Sequence, residues 1–188
     1  MYKKMKLVDT VRISPDRLGD DETLSVKDAL KNKLEGRIDK KNGSIVAITD
    51  IESIGEGHII MGDGAVYYDV TFKAIVFMPM MQEVIEGKVV EIVDFGAFIS
   101  FGAMDGLLHV SQITDDFMSY DGKNARLISK NSNRALAEGD YLRARIVAVS
   151  INERDPRESK IGLTMRQVGL GQFQWLEEER QATAKAVE

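Results

Sequence analysis

The run Val66–Met78 alternates without a break, with Val66, Tyr68, Val70, Phe72, Ala74, Val76 and Met78 on one side of an extended chain and Asp69, Thr71 and Lys73 on the other. Such a strand has one apolar face to cover, and Pro79 ends it. The short Met80-Met81-Gln82-Glu83 piece then opens a different rhythm of strands and turns. These features predict two domains with a junction near residue 80.

Before the junction, Lys6–Ile13 has the β-branched character of a first strand, and Ser14-Pro15 punctuates it. A helix is predicted next: Ser25 and Asp28 make an acceptable capping box, Val26, Ala29, Leu30 and Leu34 form one apolar stripe, and Gly36 stands where a terminating glycine belongs. Asp39–Gly43 is a turn by composition, and Ser44–Ile54 a further strand. After the junction, Glu86–Val93, Ala97–Phe101, Gly106–Val110, Tyr141–Ser150 and Lys160–Met165 give the five strands of an OB barrel. From Gln172 the chain turns to helix formers, with Phe173 and Leu176 as anchors; the part around Trp175 is either a docked end or a partner-binding helix. The expected organisation is an α+β domain over 1–80, an all-β five-stranded barrel over 81–168 and a helical tail over 169–188.

Composition removes several function classes. The 188 residues contain no cysteine and two histidines, His58 and His109, so thiol-based metal sites and disulfides are excluded; no metal or other cofactor is expected. Met1–Leu7 has charge with no apolar stretch behind it, and Ala74–Met78 is too short to span a bilayer, so a cytoplasmic protein with no membrane partner is expected. The net charge is −5, and no segment is a basic arm: residues 1–81 carry 12 basic and 13 acidic side chains, 82–168 carry 11 and 13, and the remainder 2 and 4. Binding nucleic acid mainly by phosphate neutralisation needs the opposite balance, so any RNA contact must rest on local geometry and stacking.

The informative stretch is Gly87–Ile99 followed by Gly106–Ser111. It places two aromatic rings and an imidazole, Phe95, Phe98 and His109, on adjacent strands. Strict alternation sends Phe95 and Phe98 to opposite faces, but Gly96 permits a bulge that turns both to one side. The result is either a stacking platform for single strands or part of the barrel core; His109 either extends the platform or is structural. Arg143 and Arg145 share one strand face, as phosphate contacts or as solvated charges. The stretch 115–134, with Phe117, Tyr120, Lys123, Arg126, Lys130 and Arg134, is either a solvated loop or an extension of an RNA track. Gly55–Gly64 departs from both G-x-G-x-x-G and Walker A patterns, and His109 with Ser111 has no acidic partner, so neither nucleotide binding nor hydrolysis is expected.

The spacing G-x-V-x-x-I-x-D-F-G-A-F followed by G-L-L-H-V-S resembles the S1 RNA-binding domain, a branch of the OB fold. That resemblance implies an RNA face on Phe95, Phe98 and His109, an acidic position that falls here on Ser150, and a basic position that falls on Lys160. Lys88, inside the motif, and Arg143 and Arg145 complete the RNA-binding candidates. Asp9–Ile13, Glu35–Asp39, Ile54–Ile60, Gly62–Gly64, Met104–His109, Lys160–Arg166 and Gly169–Gly171 together resemble the E-prime family of archaeal RNA polymerase stalk subunits, counterpart of the seventh subunit of eukaryotic RNA polymerase II.

What this second resemblance implies is a truncated RNP-like N-terminal domain ahead of the S1 barrel, and a non-catalytic role. It also implies a heterodimer with the F subunit of the polymerase, single-stranded transcript as ligand, and a tip loop that meets core polymerase near the clamp. The matching loop positions are Gly55, Gly57, His58, Gly62, Asp63 and Gly64. The alternative, resting on residues 82–166 alone, is a free-standing S1 factor of translation or RNA decay.

Overall fold

A computed structural model describes residues 1–18, 21–132, 134–152 and 159–187 of the chain, in two compact units that part between Met78 and Pro79. The first unit is α+β. Its strands are β1 (Tyr2–Ile13), β2 (Ile38–Asp39), β3 (Gly43–Ile54), β4 (His58–Ile59) and β5 (Val66–Phe77), and its helix is α1 (Glu22–Leu34). The sheet runs β1-β5-β3-β2, with β4 on the end of β5, and every pairing is antiparallel.

β5 is the centre of this unit, as its alternation demands. Val70, Phe72, Ala74 and Val76 are fully buried and pack with Val11, Ile13, Ile45 and Ile48 of the flanking strands against Val26 and Leu30 of α1. β3 obeys a different rule. Its pairing with β5 slips three times, skipping Val46, Thr49 and Glu52. Each skip adds a residue to the pleat, so the inward period becomes three, and Ile45, Ile48, Ile51 and Ile54 all reach the core. Glu52, freed at one bulge, bridges Lys6 and Lys73, which stand directly opposite one another on β1 and β5. Hydrogen bonds from these two ammonium groups hold the Glu52 carboxyl at about 2, well below its ordinary value, and offset a cross-strand repulsion.

α1 begins a turn earlier than the Ser25 capping box predicts. Asp21 is the N-cap, its carboxylate accepting from the amides of Thr23 and Leu24, and Ser25 is buried inside the helix. A carboxylate at that position also suits the positive end of the helix dipole. The expected stop holds: Gly36 follows the C-cap with φ +81°.

The second unit is built on β6 (Val84–Val93), β7 (Gly96–Phe101), β8 (Met104–His109), β12 (Tyr141–Ser150) and β13 (Lys160–Thr164). Neighbours pair in the order β6-β7-β8-β13-β12, and β12 pairs back to β6, so the five strands close as the OB barrel expects. β13 closes the ring by pairing parallel to β8 and antiparallel to β12. Ile85, Val89, Ile92, Ala97, Ile99, Leu108, Leu142, Ala144, Ile146, Ile161 and Leu163 are the buried interior. A short strand β14 (Gly171–Gln172) adds to the edge of β12 and leads into α2 (Phe173–Val187).

α2 is docked by its first turns. Trp175 and Leu176 are buried, Phe173 is half-buried under the Arg143 guanidinium, and Arg134 lies over Trp175 while pairing with Glu179. Leu176 therefore anchors as expected, but Trp175 is the more buried partner and Phe173 the lesser.

The segment 115–134 is not a loop. It contributes β9 (Met118–Asp121) and β10 (Arg126–Ser129), which with β11 (Ala135–Ala137) form a separate three-stranded antiparallel sheet. Met118, Leu127 and Leu136 are buried beneath it, and Leu127 and Leu136 face each other across β10 and β11. Three buried apolar residues spread over three short strands among so many charges carry too weak a periodicity to announce strands. Because Leu127 is fully buried, Leu127→Ala is expected to destabilise the protein by ~2–5 kcal/mol in urea denaturation. A solvated loop would return a change within the error of the measurement.

Candidate nucleic-acid interface and docking loop

β6 and β7 are joined by a two-residue turn, Asp94-Phe95, between the paired residues Val93 and Gly96. Phe95 therefore stands outside the alternation of either strand. The bulge lies elsewhere, at Val90 on β6, where the register shifts between Val89 and Glu91. Gly96 instead makes room for the neighbouring strand, because a Cβ there would meet the Leu108 carbonyl oxygen at 2.3 Å and the His109 Cα at 3.0 Å. Only glycine lets β8 approach so closely, and this approach seats His109 directly opposite position 96.

Ala97, Ile99 and Phe101 point into the barrel, so Phe98 points out, with Leu107 opposite it on β8. Phe95 is 46% exposed and Phe98 is half-buried; their rings meet edge to face with centroids 6.5 Å apart. His109 is exposed on the same outer face as Phe98. Its Nδ1 accepts from the Ser111 amide at 3.2 Å and lies 2.8 Å from the Ser111 hydroxyl. With Nδ1 accepting, the neutral ring carries its proton on Nε2, a donor for a base edge or a phosphate.

The cations fall into two groups. One step along β7 from Phe98 is Ser100, paired with Lys88 on β6 and Asp105 on β8. On β13, Gly162 pairs with Leu107, so Lys160 lies one step from the Phe98 row, level with Asp105 and paired with Ser150. Lys88 and Lys160 thus flank the row next to the rings. The two arginines stand apart from it. Arg143 donates from Nε and Nη2 to the single Glu86 Oε1 at 3.1 and 2.7 Å and covers Phe173, while Arg145 is half-buried with a long contact to the Gln82 carbonyl. Ser150, at the position the S1 resemblance gives to an acid, leaves Lys160 without a carboxylate opposite it on β12.

In the first unit, the Gly55–Gly64 stretch connects β3 to β5, and His58–Ile59 pair with Tyr67–Val66 before the chain turns. Its apex is apolar. Ile59 and Ile60 are exposed, and Met61 has essentially no neighbours. The glycine pattern alone passes over these three residues; the Ile-Ile-Met run between glycines is the signal the sequence offers for them. Asp63 turns inward instead. Its carboxylate receives two hydrogen bonds from Arg12, at 2.7 and 2.8 Å, one from the Tyr67 hydroxyl at 2.7 Å and one from the Ala65 amide at 3.2 Å. The Arg12 bonds first, then Tyr67, hold the Asp63 carboxyl far below the usual carboxylate range.

Comparison with known proteins decides the family. Residues 8–64 match the family described as "SHS2 domain found in N terminus of Rpb7p/Rpc25p/MJ0397", and residues 79–160 match the S1 RNA binding domain. DNA-directed RNA polymerase subunit Rpo7 of Saccharolobus shibatae is 38% identical over 178 residues, 94% of this chain and 97% of the relative. Rpo7 of Sulfolobus acidocaldarius is 35% identical over 95% of this chain and 97% of its own length. The chain belongs to the Rpo7 family.

It is therefore an archaeal-type, non-catalytic RNA polymerase subunit carrying an RNA-binding S1 domain. A likeness to the RNA polymerase III subunit RPC8 of Saccharomyces cerevisiae, 36% identical, covers 46% of this chain and 41% of that one. Among the described residues no helix is long and apolar enough to cross a membrane.

In this Rpo7-family chain the Asp63 carboxylate ties the apex to β1 and β5. Its depressed pKa means that the tie is fully made above the ordinary carboxylate range and is lost only as the pH falls far below that range. Asp63→Ala is expected to speed amide hydrogen exchange at residues 59–64, with the amides of β5 between Val70 and Val76 unchanged. Equal exchange in both proteins would show that the apex is held by something else.

Proposed function

We propose that this Rpo7-family subunit pairs with the polymerase's F subunit and anchors to core polymerase near the clamp through the Gly55–Gly64 loop. Its S1 face receives the emerging single-stranded transcript, supporting initiation and elongation in the cytoplasm. In this reading residues 1–80 are the anchoring domain and 81–168 the RNA-binding domain. The observation that carries it is the likeness to Rpo7 along nearly the entire chain, including the unit that precedes the barrel. A free-standing S1 factor has no use for that first unit, which is why the alternative is set aside.

The RNA contact rests on Phe95, Phe98 and His109 as a stacking face, with Lys88 and Lys160 alongside for phosphates. Arg143 and Arg145 contribute less, since Arg143 is already engaged by Glu86 and Arg145 is half-buried. In the loop, Ile59, Ile60 and Met61 make the contact with core, His58 and the glycines at 55, 57, 62 and 64 shape the approach, and Asp63 holds the apex in place.

Tagged protein expressed in its native host is expected to recover the F subunit and core polymerase together. Recovery as a lone monomer would reject the assembly. Phe95→Ala with Phe98→Ala is expected to weaken binding of single-stranded RNA by ~1–3 kcal/mol for each base that loses its ring. The thermal midpoint should hold, because Phe95 is at the surface and Phe98 only half-buried. Collapse of the fold in that variant would identify the rings as core. Ile60→Asp is expected to reduce recovery of core polymerase while leaving RNA affinity intact.

A further inference from the structure

Phe117 has no packing role that accounts for it. It lies just before β9 and is 65% exposed, whereas its neighbour Met118 is buried under the three-stranded sheet. A single exposed apolar side chain is ordinary on a protein surface. Phe117 differs in what surrounds it. The Lys130 ammonium sits 4.5 Å from the centre of its ring, and the Lys130 amide donates to the Phe117 carbonyl at 3.1 Å, so the cation and the ring are fixed to one another through the backbone. Tyr120, on β9, is a second exposed ring in the same sheet.

The position of Phe117 relative to the S1 face is also defined. The His109 ring is tied to Ser111, and Ser111 lines a shallow depression whose other walls include Val110, Thr114, Phe117 and Arg166. Apart from Arg166, these walls all come from the short stretch of chain that leads from β8 to β9, so the depression runs from Ser111, the residue that holds the imidazole, to Phe117. Two carboxylates stand in it, and both are engaged: Asp115 is bonded by the Arg166 guanidinium, and Asp116 accepts from the Ser129 hydroxyl at 3.3 Å. Among the described residues of the segment, Lys123 and Lys130 enter no ion pair, while Arg126 is paired with Asp121 and Arg134 with Glu179.

An exposed ring, a cation tethered beside it and a path from a base-stacking face on which Asp115 is paired with Arg166 are what a further nucleotide requires. We propose that Phe117 and Lys130 form a second stacking subsite, taking a base on the ring and the adjoining phosphate on the ammonium. It would extend the RNA track from His109 across the three-stranded sheet. This rests on the S1-face reading above. A protein partner is the less suited occupant, because the Lys130 ammonium held against the ring calls for an anion beside the aromatic surface, and a nucleotide supplies base and phosphate in one unit.

The test uses full-length protein and fluorescence anisotropy with oligouridine of two lengths, about 4 and about 12 nucleotides, the span of site sizes an OB barrel covers. Phe117→Ala is expected to weaken the longer oligomer roughly 5- to 150-fold and leave the shorter one unchanged, while Phe117→Trp retains affinity for both. Lys130→Ala is expected to lower the salt slope for the longer oligomer by about 1, with no change for the shorter. If Phe117→Ala leaves both affinities intact while Phe95→Ala with Phe98→Ala reduces them, the subsite is wrong and the S1 face stands. If the double variant changes neither, the S1-face reading itself fails. An equal loss at both lengths places Phe117 within the primary face and overturns the extension. Loss of binding to the F subunit with RNA affinity intact assigns the ring to a protein contact and overturns it as well.

Discussion

Closure of the barrel through β13 is the constraint on which the second unit depends. β13 pairs parallel to β8 on one side and antiparallel to β12 on the other, so the five strands share their backbone hydrogen bonds in a ring without an open edge. The interior is filled by apolar side chains from alternate positions, which forces the intervening residues outward. Phe98, Leu107 and Gly162 form one outward row because of this, and Ser100 and Asp105 the next. The exposed ring at Phe98 is therefore a consequence of Ala97 and Ile99 being needed inside. Phe98 and His109 are thus the outward half of the same alternation, and Phe95 joins them from the turn.

What the sequence reveals of this, and what it withholds, follows from how many signals each element sends. β5 is regular, and the five barrel strands carry only single register shifts, at Val90 on β6 and between Ile146 and Ala148 on β12, so alternation alone locates them. β3 carries isoleucine at every third position from Ile45 to Ile54, a period that matches neither a plain strand nor a helix, and three bulges reconcile it with the sheet. Its composition announces a strand but not the bulges. The start of α1 is hard to place because Ser25 and Asp28 imitate a capping box, whereas Asp21, one turn earlier, offers a carboxylate to two free amides. The strands β9, β10 and β11 escape notice because each is short and buries one or two side chains. At the candidate site, Phe95, Phe98 and His109 stand out in the sequence but the means of their placement does not: Phe95 reaches the outer face from a two-residue turn, and Gly96 serves the close approach of His109.

The charge balance of the chain favours stacking over phosphate neutralisation as the proposed mode of RNA contact. Several basic side chains of the second unit are held by acids: Arg126 by Asp121, Arg134 by Glu179, Arg143 by Glu86 and Arg166 by Asp115. A guanidinium already paired offers little to a phosphate, because the new contact must be set against the loss of the old one. Exposed pairs of this kind add little stability, so their effect here is chiefly to shape the field of the barrel surface. They leave Lys88 and Lys160 near the rings as point charges. In the proposed reading, a face of this composition would tolerate many sequences, since every base has a π-face, and would hold its ligand without the long-range pull of a basic patch.

The same economy governs the loop between β3 and β5. An apex of Ile59, Ile60 and Met61 exposed to water is unfavourable in the free chain, and a mobile apex would add the entropy of ordering to the cost of any association. The Asp63 carboxylate reduces the second cost by accepting from Arg12 on β1, from Tyr67 on β5 and from the Ala65 amide, which fixes the returning limb of the loop to two strands at once. β4 fixes the outgoing limb by pairing His58 and Ile59 with Tyr67 and Val66. Both limbs are thereby secured on β5, whose residues are the most deeply buried of the unit. The apolar apex is thus held on both limbs at Val66 and Tyr67, where β5 begins before entering the buried core, and this tethering reduces the ordering that any association of those side chains would require.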